Sequence, residues 1–161
     1  ETLHETPAAI LLVEDNPDHA ELVARSFRRS RTPNVIHHVP DGRLALNYLF
    51  RQEAYADAQT SPRPQVILLD LRLPKVDGLE VLREIKASPQ LRDIPVIVLT
   101  TSETQRDIAK AYQYHANSYL VKPVDFVRFT QMMDDLESYW LQWNYRPSAE
   151  RGPEDGNGEP A

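Results

Sequence analysis

Five short apolar runs, separated by segments of helical periodicity, limit the folds that this chain can adopt. They span residues 9–13, 35–39, 66–69, 96–99 and 118–121. The first, third and fourth are nearly continuous in Val, Ile and Leu, which is typical of strands buried on both faces of a parallel sheet. Between the runs, apolar residues recur at spacings of three and four, as in amphipathic helices. The alternation predicts an α/β fold, a doubly wound (βα)5 domain with a five-stranded parallel sheet.

The 161 residues are expected to form one domain with a short segment at each end. We expect an N-terminal tail over residues 1–8, a folded domain over 9–145, and a disordered tail over 146–161. Residues 52–64 are polar and end in Ser-Pro-Arg-Pro, which indicates a surface loop. The last helix is predicted from about Asp125 to at least Trp143, with an apolar stripe of Phe126, Phe129, Met133, Leu136, Trp140 and Trp143.

The composition of the chain excludes several classes of protein and several kinds of functional site. The chain has no Cys, so disulfides, thiolate metal sites and Cys nucleophiles are excluded. No apolar stretch approaches the roughly 20 residues that a membrane span needs. The formal net charge of −6 argues against binding to duplex nucleic acid. Because the N-terminus is polar and unlike a signal peptide, we expect a soluble cytoplasmic protein with neither a membrane nor a nucleic acid as partner.

Three acidic residues stand directly after two of the apolar runs. Glu14 and Asp15 follow the first run, and Asp70 follows the third. If these runs are neighbouring parallel strands, the three carboxylates emerge at the carboxyl edge of the sheet, where ligands of open α/β sheets bind. Crowded carboxylates repel one another, and Mg²⁺ with its preference for oxygen ligands relieves that repulsion. The alternative is local: Asp15 or Asn16 could simply cap the first helix.

Two further residues belong to the same predicted edge. Thr100 follows the fourth run and Lys122 follows the fifth. A hydroxyl can donate to a phosphate oxygen, and an ammonium group is a compact counter-charge for a phosphate. Taken singly, Thr100 could be a helix cap and Lys122 a surface lysine. Together with the acids they indicate a site where a phosphoryl group can be held beside Mg²⁺.

Four segments together resemble the receiver domain of two-component response regulators, over about residues 9–139. They are residues 10–16 (ILLVEDN), 69–78 (LDLRLPKVDG), 98–102 (VLTTS) and 117–123 (NSYLVKP). The resemblance implies the flavodoxin-like receiver fold. It also implies that the aspartate at the position of Asp70 accepts a phosphoryl group from a phosphohistidine.

The same resemblance implies a role for each residue of the site. Asp15, Asp70 and the backbone carbonyl of Arg72 would bind Mg²⁺, with Glu14 holding the ion through a water molecule. Lys122 and Thr100 would contact the phosphoryl oxygens. Thr100 and Tyr119 would form the switch, Tyr119 turning inward when Thr100 moves toward the phosphoryl group.

One pair of residues departs from the pattern of many receivers. Arg72 stands where many have a small polar residue, and Ser102 where many have an acidic one. Both side chains would flank the attacking water, so we expect Arg72 to alter the rate of dephosphorylation. The five histidines show no metal-ligand spacing and are expected to be structural or exposed. Any phosphohistidine therefore belongs to a partner, a sensor histidine kinase.

A narrower resemblance concerns the identity of that kinase. Residues 70–75 (DLRLPK), 99–102 (LTTS), 117–119 (NSY) and 139–141 (YWL) are similar to stand-alone regulators that pair with bacterial and cyanobacterial phytochromes. Tyr139, Trp140 and Trp143 make the end of the last helix unusually aromatic, and exposed aromatic residues mark interfaces. We expect a homodimer built on the last helix and fifth strand; the alternative is that these aromatics pack on their own domain.

Other functions would use parts of the same pattern. A Mg²⁺-dependent aspartyl phosphohydrolase is the enzyme alternative, but haloacid-dehalogenase-like enzymes want a second Asp where this chain has Arg72. A P-loop NTPase is excluded because no Gly-rich loop with Lys-Ser/Thr exists, and an acidic edge would repel the phosphate of FMN. A pseudo-receiver acting as a binding module remains open. We expect a phosphoacceptor rather than an enzyme, with at most slow autodephosphorylation.

Overall fold

The protein is a five-stranded parallel sheet covered by helices on both faces. The structure, a computed structural model, describes residues 6–145. The strands are β1 (Ala8–Val13), β2 (Asn34–Val39), β3 (Val66–Leu69), β4 (Val96–Thr100) and β5 (Ser118–Val121). The helices are α1 (Pro17–Arg28), α2 (Gly42–Leu49), α3 (Gly78–Ala87), α4 (Gln105–Gln113) and α5 (Phe126–Glu137). The predicted disordered tail, residues 146–161, lies outside the described residues, as does the predicted N-terminal tail up to residue 5.

The strand order β2-β1-β3-β4-β5 makes the sheet doubly wound, as the sequence predicts. Every residue of β1, β3 and β4 is buried, whereas the edge strands β2 and β5 are only partly covered. The nearly continuous apolar runs are therefore the three central strands. Within residues 6–145, no helix has both the length and the apolar character needed to cross a bilayer.

Alternate side chains of the central strands build two separate cores. Leu11 and Val13 of β1 pack with α2, α3 and α4, while Ile10 and Leu12 pack with α1 and α5. This division follows from the two-residue period of a strand, which sends neighbouring side chains to opposite faces. Since both faces are filled, the strand ends are held rigidly, and residues immediately after them share one edge.

The starts of two helices lie beside that edge. The Asn16 side chain accepts the backbone N–H groups of Asp18 and His19, so Asn16, not Asp15, caps α1. Thr104 caps α4 by accepting the N–H of Asp107. The carboxylate of Asp15 is consequently not needed to begin a helix.

The last helix is as long as predicted, and the middle of its predicted apolar stripe packs on the core. Its final turns, Ser138–Trp143, are π-helical, and the Asn144 N–H donates to the Tyr139 carbonyl. A π-turn adds about one residue per turn, which shifts the buried face from Trp140 to Leu141. Phe126 and Trp143, at the two ends of the predicted stripe, are exposed.

The surface loop predicted over residues 52–64 is largely exposed, with a short 3-10 turn at Glu53–Tyr55. It is anchored at two points. The Ser61 side chain is buried, and the Tyr48 hydroxyl donates to the Pro62 carbonyl at 2.8 Å.

A glycine determines how closely the β3–α3 loop can fold back on the end of β3. A Cβ on Gly78 would lie 2.4 Å from both the Asp70 carbonyl oxygen and the Leu71 Cα, while its N–H donates to the Leu71 carbonyl at 3.0 Å. Backbone atoms cannot yield as the tip of a side chain can. This glycine therefore keeps the loop tight against Asp70.

We expect Gly78→Ala to lower the free energy of unfolding by about 1–3 kcal/mol, the usual cost of overpacking. The reason is that the loop must move away from Asp70 to admit the methyl group. Urea denaturation of the two proteins measures the change. An unaltered midpoint would contradict the close backbone approach.

Candidate functional site

The pairing of β1 with β3 brings the three predicted acids together. Val13 is in register with Leu69, and the Asp70 N–H donates to the Val13 carbonyl at 3.1 Å. Ligand oxygens of Glu14, Asp15 and Asp70 all lie within 4.8 Å of one another. Glu14 and Asp70 are buried, while Asp15 is exposed. The cluster is therefore open to solvent on the side of Asp15.

A single buried ammonium group compensates the two buried acids. Lys122 Nζ donates to Glu14 Oε1 at 2.6 Å and to Asp70 Oδ2 at 2.9 Å. Its third neighbour is His19 Nδ1, at 3.0 Å. The Lys122 N–H donates to the Thr100 carbonyl at 2.8 Å, which holds the lysine at the end of β5 beside β4. The three donors of the ammonium group thus each have an acceptor.

The Asp70 carboxylate is stabilised by three hydrogen-bond donors. It accepts hydrogen bonds from Lys122, from the Thr100 hydroxyl and, at 3.2 Å to Oδ1, from the Arg72 N–H. Burial by itself raises the pKa of Asp70, but the charge and hydrogen bond of Lys122, together with the other donors, lower it below its ordinary value. The side chain is therefore ionised at neutral pH.

Glu14 behaves in the opposite way. Burial, with a smaller contribution from the Asp70 charge, raises the pKa of the Glu14 carboxyl to about 7, because together they outweigh the hydrogen bond and charge of Lys122. One lysine does not supply enough positive charge for all three acids. The donor set suits a hard divalent cation, since Mg²⁺ prefers carboxylate and carbonyl oxygens. A cation here would favour the charged form of Glu14.

Two histidines touch the site, although the sequence analysis gave them no role there. His19, on the first turn of α1, packs edge-on against Phe129 of α5 with ring centroids 5.5 Å apart. Burial and the Lys122 charge lower the pKa of His19, so its neutral ring can accept from the ammonium group. His38 Nε2 lies 2.7 Å from the Glu14 carbonyl oxygen. For His38, the only signal in the sequence was its alternation with His37, which sends one ring to each face of β2.

Arg72 and Ser102 meet through a third residue that the sequence analysis missed. Arg72 Nη2 lies 2.6 Å from Asp107 Oδ2 and 3.3 Å from Ser102 Oγ. Ser102 Oγ also donates to Asp107. Asp107 is an acid in the first turn of α4, and that position alone gave no sign of its partners.

The predicted switch residues also meet at Ser102. The Ser102 N–H lies 3.4 Å from Thr100 Oγ1, and the Tyr119 hydroxyl donates to the Ser102 carbonyl at 2.8 Å. The Tyr119 ring is half-buried, and burial raises the pKa of its hydroxyl. Tyr119 is therefore held against the β4–α4 loop.

The predicted interface residues do not join this site. α5 begins at the carboxyl edge and runs back toward the opposite edge, so its far end lies away from the acids. The Tyr139 and Trp143 side chains are 59% and 77% exposed. Trp140 is half-buried and packs against the core beneath α1 and α5.

The raised pKa of Glu14 predicts a pH-dependent stability that Glu14→Gln should remove. Between the ordinary value of 4.5 and about 7, the folded metal-free protein binds more protons than the unfolded chain, so stability falls as pH rises through this window. His19, with its lowered pKa, acts in the opposite direction below its ordinary value of 6.5. The informative quantity is therefore the difference between the two proteins.

We expect Glu14→Gln to gain stability relative to the wild type by up to about 3 kcal/mol between pH 4.5 and 8. Urea unfolding in a metal chelator, repeated across this range, measures the difference. Two curves that run parallel would show that Glu14 titrates normally.

Comparison with known proteins agrees with this geometry. The family model described as the response regulator receiver domain matches residues 10–134. The chain is 48% identical over 143 residues to "Probable methanogenesis regulatory protein FilR2" of Methanothrix harundinacea, covering 89% of this chain and 90% of FilR2. It is 42% identical over 143 residues to response regulator Rcp1 of Synechocystis, covering 89% of this chain and 95% of Rcp1.

Solved structures show the same relationship. The phosphorylated cyanobacterial phytochrome response regulator RcpA superposes with a TM-score of 0.84 at 40% identity, covering 89% of this chain and all of RcpA. The Mn²⁺-bound form of Rcp1 also gives a TM-score of 0.84, at 42% identity, covering 88% of this chain and all of Rcp1. With a family model that matches most of its length and relatives of this similarity, the chain belongs to the response regulator receiver domain family.

Proposed function

We propose that residues 9–145 act as a receiver that accepts a phosphoryl group on Asp70 from the phosphohistidine of a sensor kinase. The observation that carries this proposal is the environment of Asp70. Its carboxylate is ionised, lies 2.9 Å from the Lys122 ammonium group, and has two further acids close enough to share a metal ion. Phosphoryl transfer requires positioning and charge neutralisation of this kind.

The residues of the site have separate tasks in the transfer. A carboxylate oxygen of Asp70 attacks phosphorus in line, the P–N bond of the donor breaks, and the imidazole keeps the electron pair. Lys122 and the Thr100 hydroxyl face the phosphoryl oxygens and offset their charge. Mg²⁺, held by Asp15, Asp70 and the Arg72 carbonyl with Glu14 acting through water, would supply further positive charge to those oxygens.

The signal is proposed to leave through Thr100 and Tyr119. A phosphoryl group brings up to about two negative charges at pH 7 and new hydrogen-bond acceptors. Thr100 moves toward it, and the Ser102 loop, bonded to both residues, moves with it. Tyr119 then turns into the space that Thr100 vacates.

Two observations support this proposal over the two alternative functions. A pseudo-receiver has no need of an acid cluster, a buried lysine and a threonine assembled around one ionised aspartate. A phosphohydrolase of the haloacid-dehalogenase type would use a second acid where Arg72 stands, and the Arg72 side chain is engaged with Asp107. Slow autodephosphorylation is the hydrolysis we expect.

The kinase is proposed to be a phytochrome. Support comes from the relatives RcpA, whose structure is described as a phytochrome response regulator, and Rcp1. FilR2, however, is named for methanogenesis regulation. Phosphotransfer from a panel of purified kinases, phytochromes included, would decide between sensor classes.

Homodimerisation is proposed through the end of the last helix together with β5. Tyr139 and Trp143 are mostly exposed, so they do not pack on their own domain. Large aromatic side chains in that state are enriched at protein interfaces.

We expect the protein to gain one phosphoryl group when incubated with Mg²⁺ and acetyl phosphate, and Asp70→Asn to gain none. Intact mass spectrometry measures the uptake. Asp18→Asn, which changes an exposed acid on the first turn of α1, serves as the matched control and should be labelled like the wild type. Chelation of Mg²⁺ should abolish labelling.

The other possible results identify the other functions. Sustained consumption of acetyl phosphate without a labelled protein would identify a hydrolase. No label and no consumption would identify a pseudo-receiver. Label retained in Asp70→Asn would refute Asp70 as the acceptor.

We expect the double variant Tyr139→Ala, Trp143→Ala to be monomeric, while the wild type has twice the mass of its 18.5 kDa chain. Light scattering after size exclusion, at equal concentrations and with and without phosphorylation, measures the masses. Tyr112→Ala, which removes an exposed aromatic from α4, is the control and should remain dimeric. A dimeric double variant or a monomeric wild type would contradict this interface.

A further inference from the structure

The buried ammonium group of Lys122 has one partner outside the acid cluster. Lys122 Nζ lies 2.6 Å from Glu14 Oε1, 2.9 Å from Asp70 Oδ2 and 3.0 Å from His19 Nδ1. Glu14 and Asp70 belong to the acids that could hold a metal ion, whereas His19 lies on the first turn of α1. An ammonium group has three donors, so the histidine completes its set of acceptors.

The His19 side chain is held from two sides. Its backbone N–H donates to the Asn16 side chain at 3.2 Å, within the cap of α1. Its ring packs edge-on against Phe129 of α5, with centroids 5.5 Å apart. Burial, followed by the Lys122 charge, lowers the pKa of His19, so the ring is neutral at pH 7. With its proton on Nε2, the ring presents Nδ1 to the lysine as an acceptor.

Phosphorylation must change the other two contacts of the lysine. Under the proposed function, one Asp70 oxygen becomes esterified, and Glu14 turns toward a cation that it holds through water. The two Lys122 donors that now meet these acids then become available to the phosphoryl oxygens. Within residues 6–145, His19 supplies the one contact of the ammonium group that these changes leave in place. A long, flexible side chain loses much conformational freedom when it is fixed, so a lasting contact keeps it from turning away.

We propose that His19 is a positioning residue for Lys122: its Nδ1 holds the ammonium group in place while the other two donors pass from the acids to the phosphoryl group. This inference rests on the proposed function. No covalent bond forms or breaks at His19. As a neutral acceptor, the ring fixes the ammonium group without offsetting the positive charge that the phosphoryl oxygens need.

The metal-free protein offers a direct test of the contact. We expect the Lys122 ammonium protons to exchange slowly with water and to give an NMR signal, because the group is buried and all three protons are hydrogen-bonded. His19→Leu, which keeps an apolar side chain against Phe129, should exchange about threefold faster or more, the effect of losing one hydrogen bond. His19→Asn, whose Oδ1 can replace Nδ1 as acceptor, should restore the slow exchange.

The labelling reaction tests what the contact does. At saturating Mg²⁺, we expect His19→Leu to react with acetyl phosphate about fivefold more slowly than the wild type, since the lysine is no longer held. His19→Asn should recover most of that rate, which intact mass measures. The Mg²⁺ concentration that gives half the maximal rate should stay unchanged in both variants, because the acids, and not Lys122, hold the ion. General damage to the pocket would change both quantities.

His37→Leu is the matched control. This half-buried histidine of β2 also packs on an aromatic ring, that of Tyr48, with centroids 5.7 Å apart, and burial lowers its pKa as well. Among the described residues, however, it makes no hydrogen bond with Lys122. The variant should match the wild type in proton exchange and in labelling rate. A His37→Leu effect equal to that of His19→Leu would overturn the proposal.

The outcomes are distinguishable from failure of the proposed function. A wild type that takes up no phosphoryl group refutes both. Normal uptake refutes only the role of His19 if His19→Leu leaves exchange or rate unchanged, if His19→Asn rescues neither, or if Mg²⁺ affinity falls together with the rate. If His19→Leu fails to fold, the ¹⁵N signals of the wild-type His19 ring replace it. We expect Nδ1 to carry no proton at pH 7, and a proton on Nδ1 would overturn the proposal, because that atom could then not accept.

Discussion

One buried ammonium group between two buried carboxylates is the interaction on which the site depends. Removing charges from water costs several kcal/mol per ion, and close, hydrogen-bonded partners must offset that cost. Lys122 meets this condition with Glu14 and Asp70 because their strands end at the same edge of a rigid sheet. The doubly wound topology therefore supplies the geometry that makes the cluster tolerable.

Lys122 only partly neutralises the buried acids, and the remaining negative charge has a consequence for cation binding. Asp70 remains ionised, whereas the pKa of Glu14 rises to about 7, so the metal-free pocket prefers to retain a proton. A divalent cation would remove the need for that proton. The same shortage of positive charge makes the acid cluster favourable for a divalent cation.

The spacing of apolar residues predicted most of the fold, and the position of acidic residues directly after apolar runs predicted the members of the acid cluster. Continuous apolar runs identified the central strands, and residues directly after them, such as Asp70 and Lys122, share one edge in any parallel sheet. The partners of Arg72 were not predictable, because Asp107 reaches it only through the placement of α4 on the sheet. The burial of Leu141 at the end of the last helix was not predictable, because a π-turn changes the helical period and no breaker residue marks it.

The two hydrogen-bonded networks meet at the end of β4, which decides where a signal can travel. Thr100 belongs to the Asp70 network and Ser102 to the Arg72–Asp107 network. β4 is buried along its whole length and cannot deform easily. α4 is the weakly held neighbour: Ala111 is its one buried apolar residue among the described positions. Elements with few buried apolar contacts open at the lowest free energy. Under the proposed function, we expect a change in charge at Asp70 to be absorbed by α4 and by the loop that carries Ser102. Tyr119, bonded to that loop, would follow it.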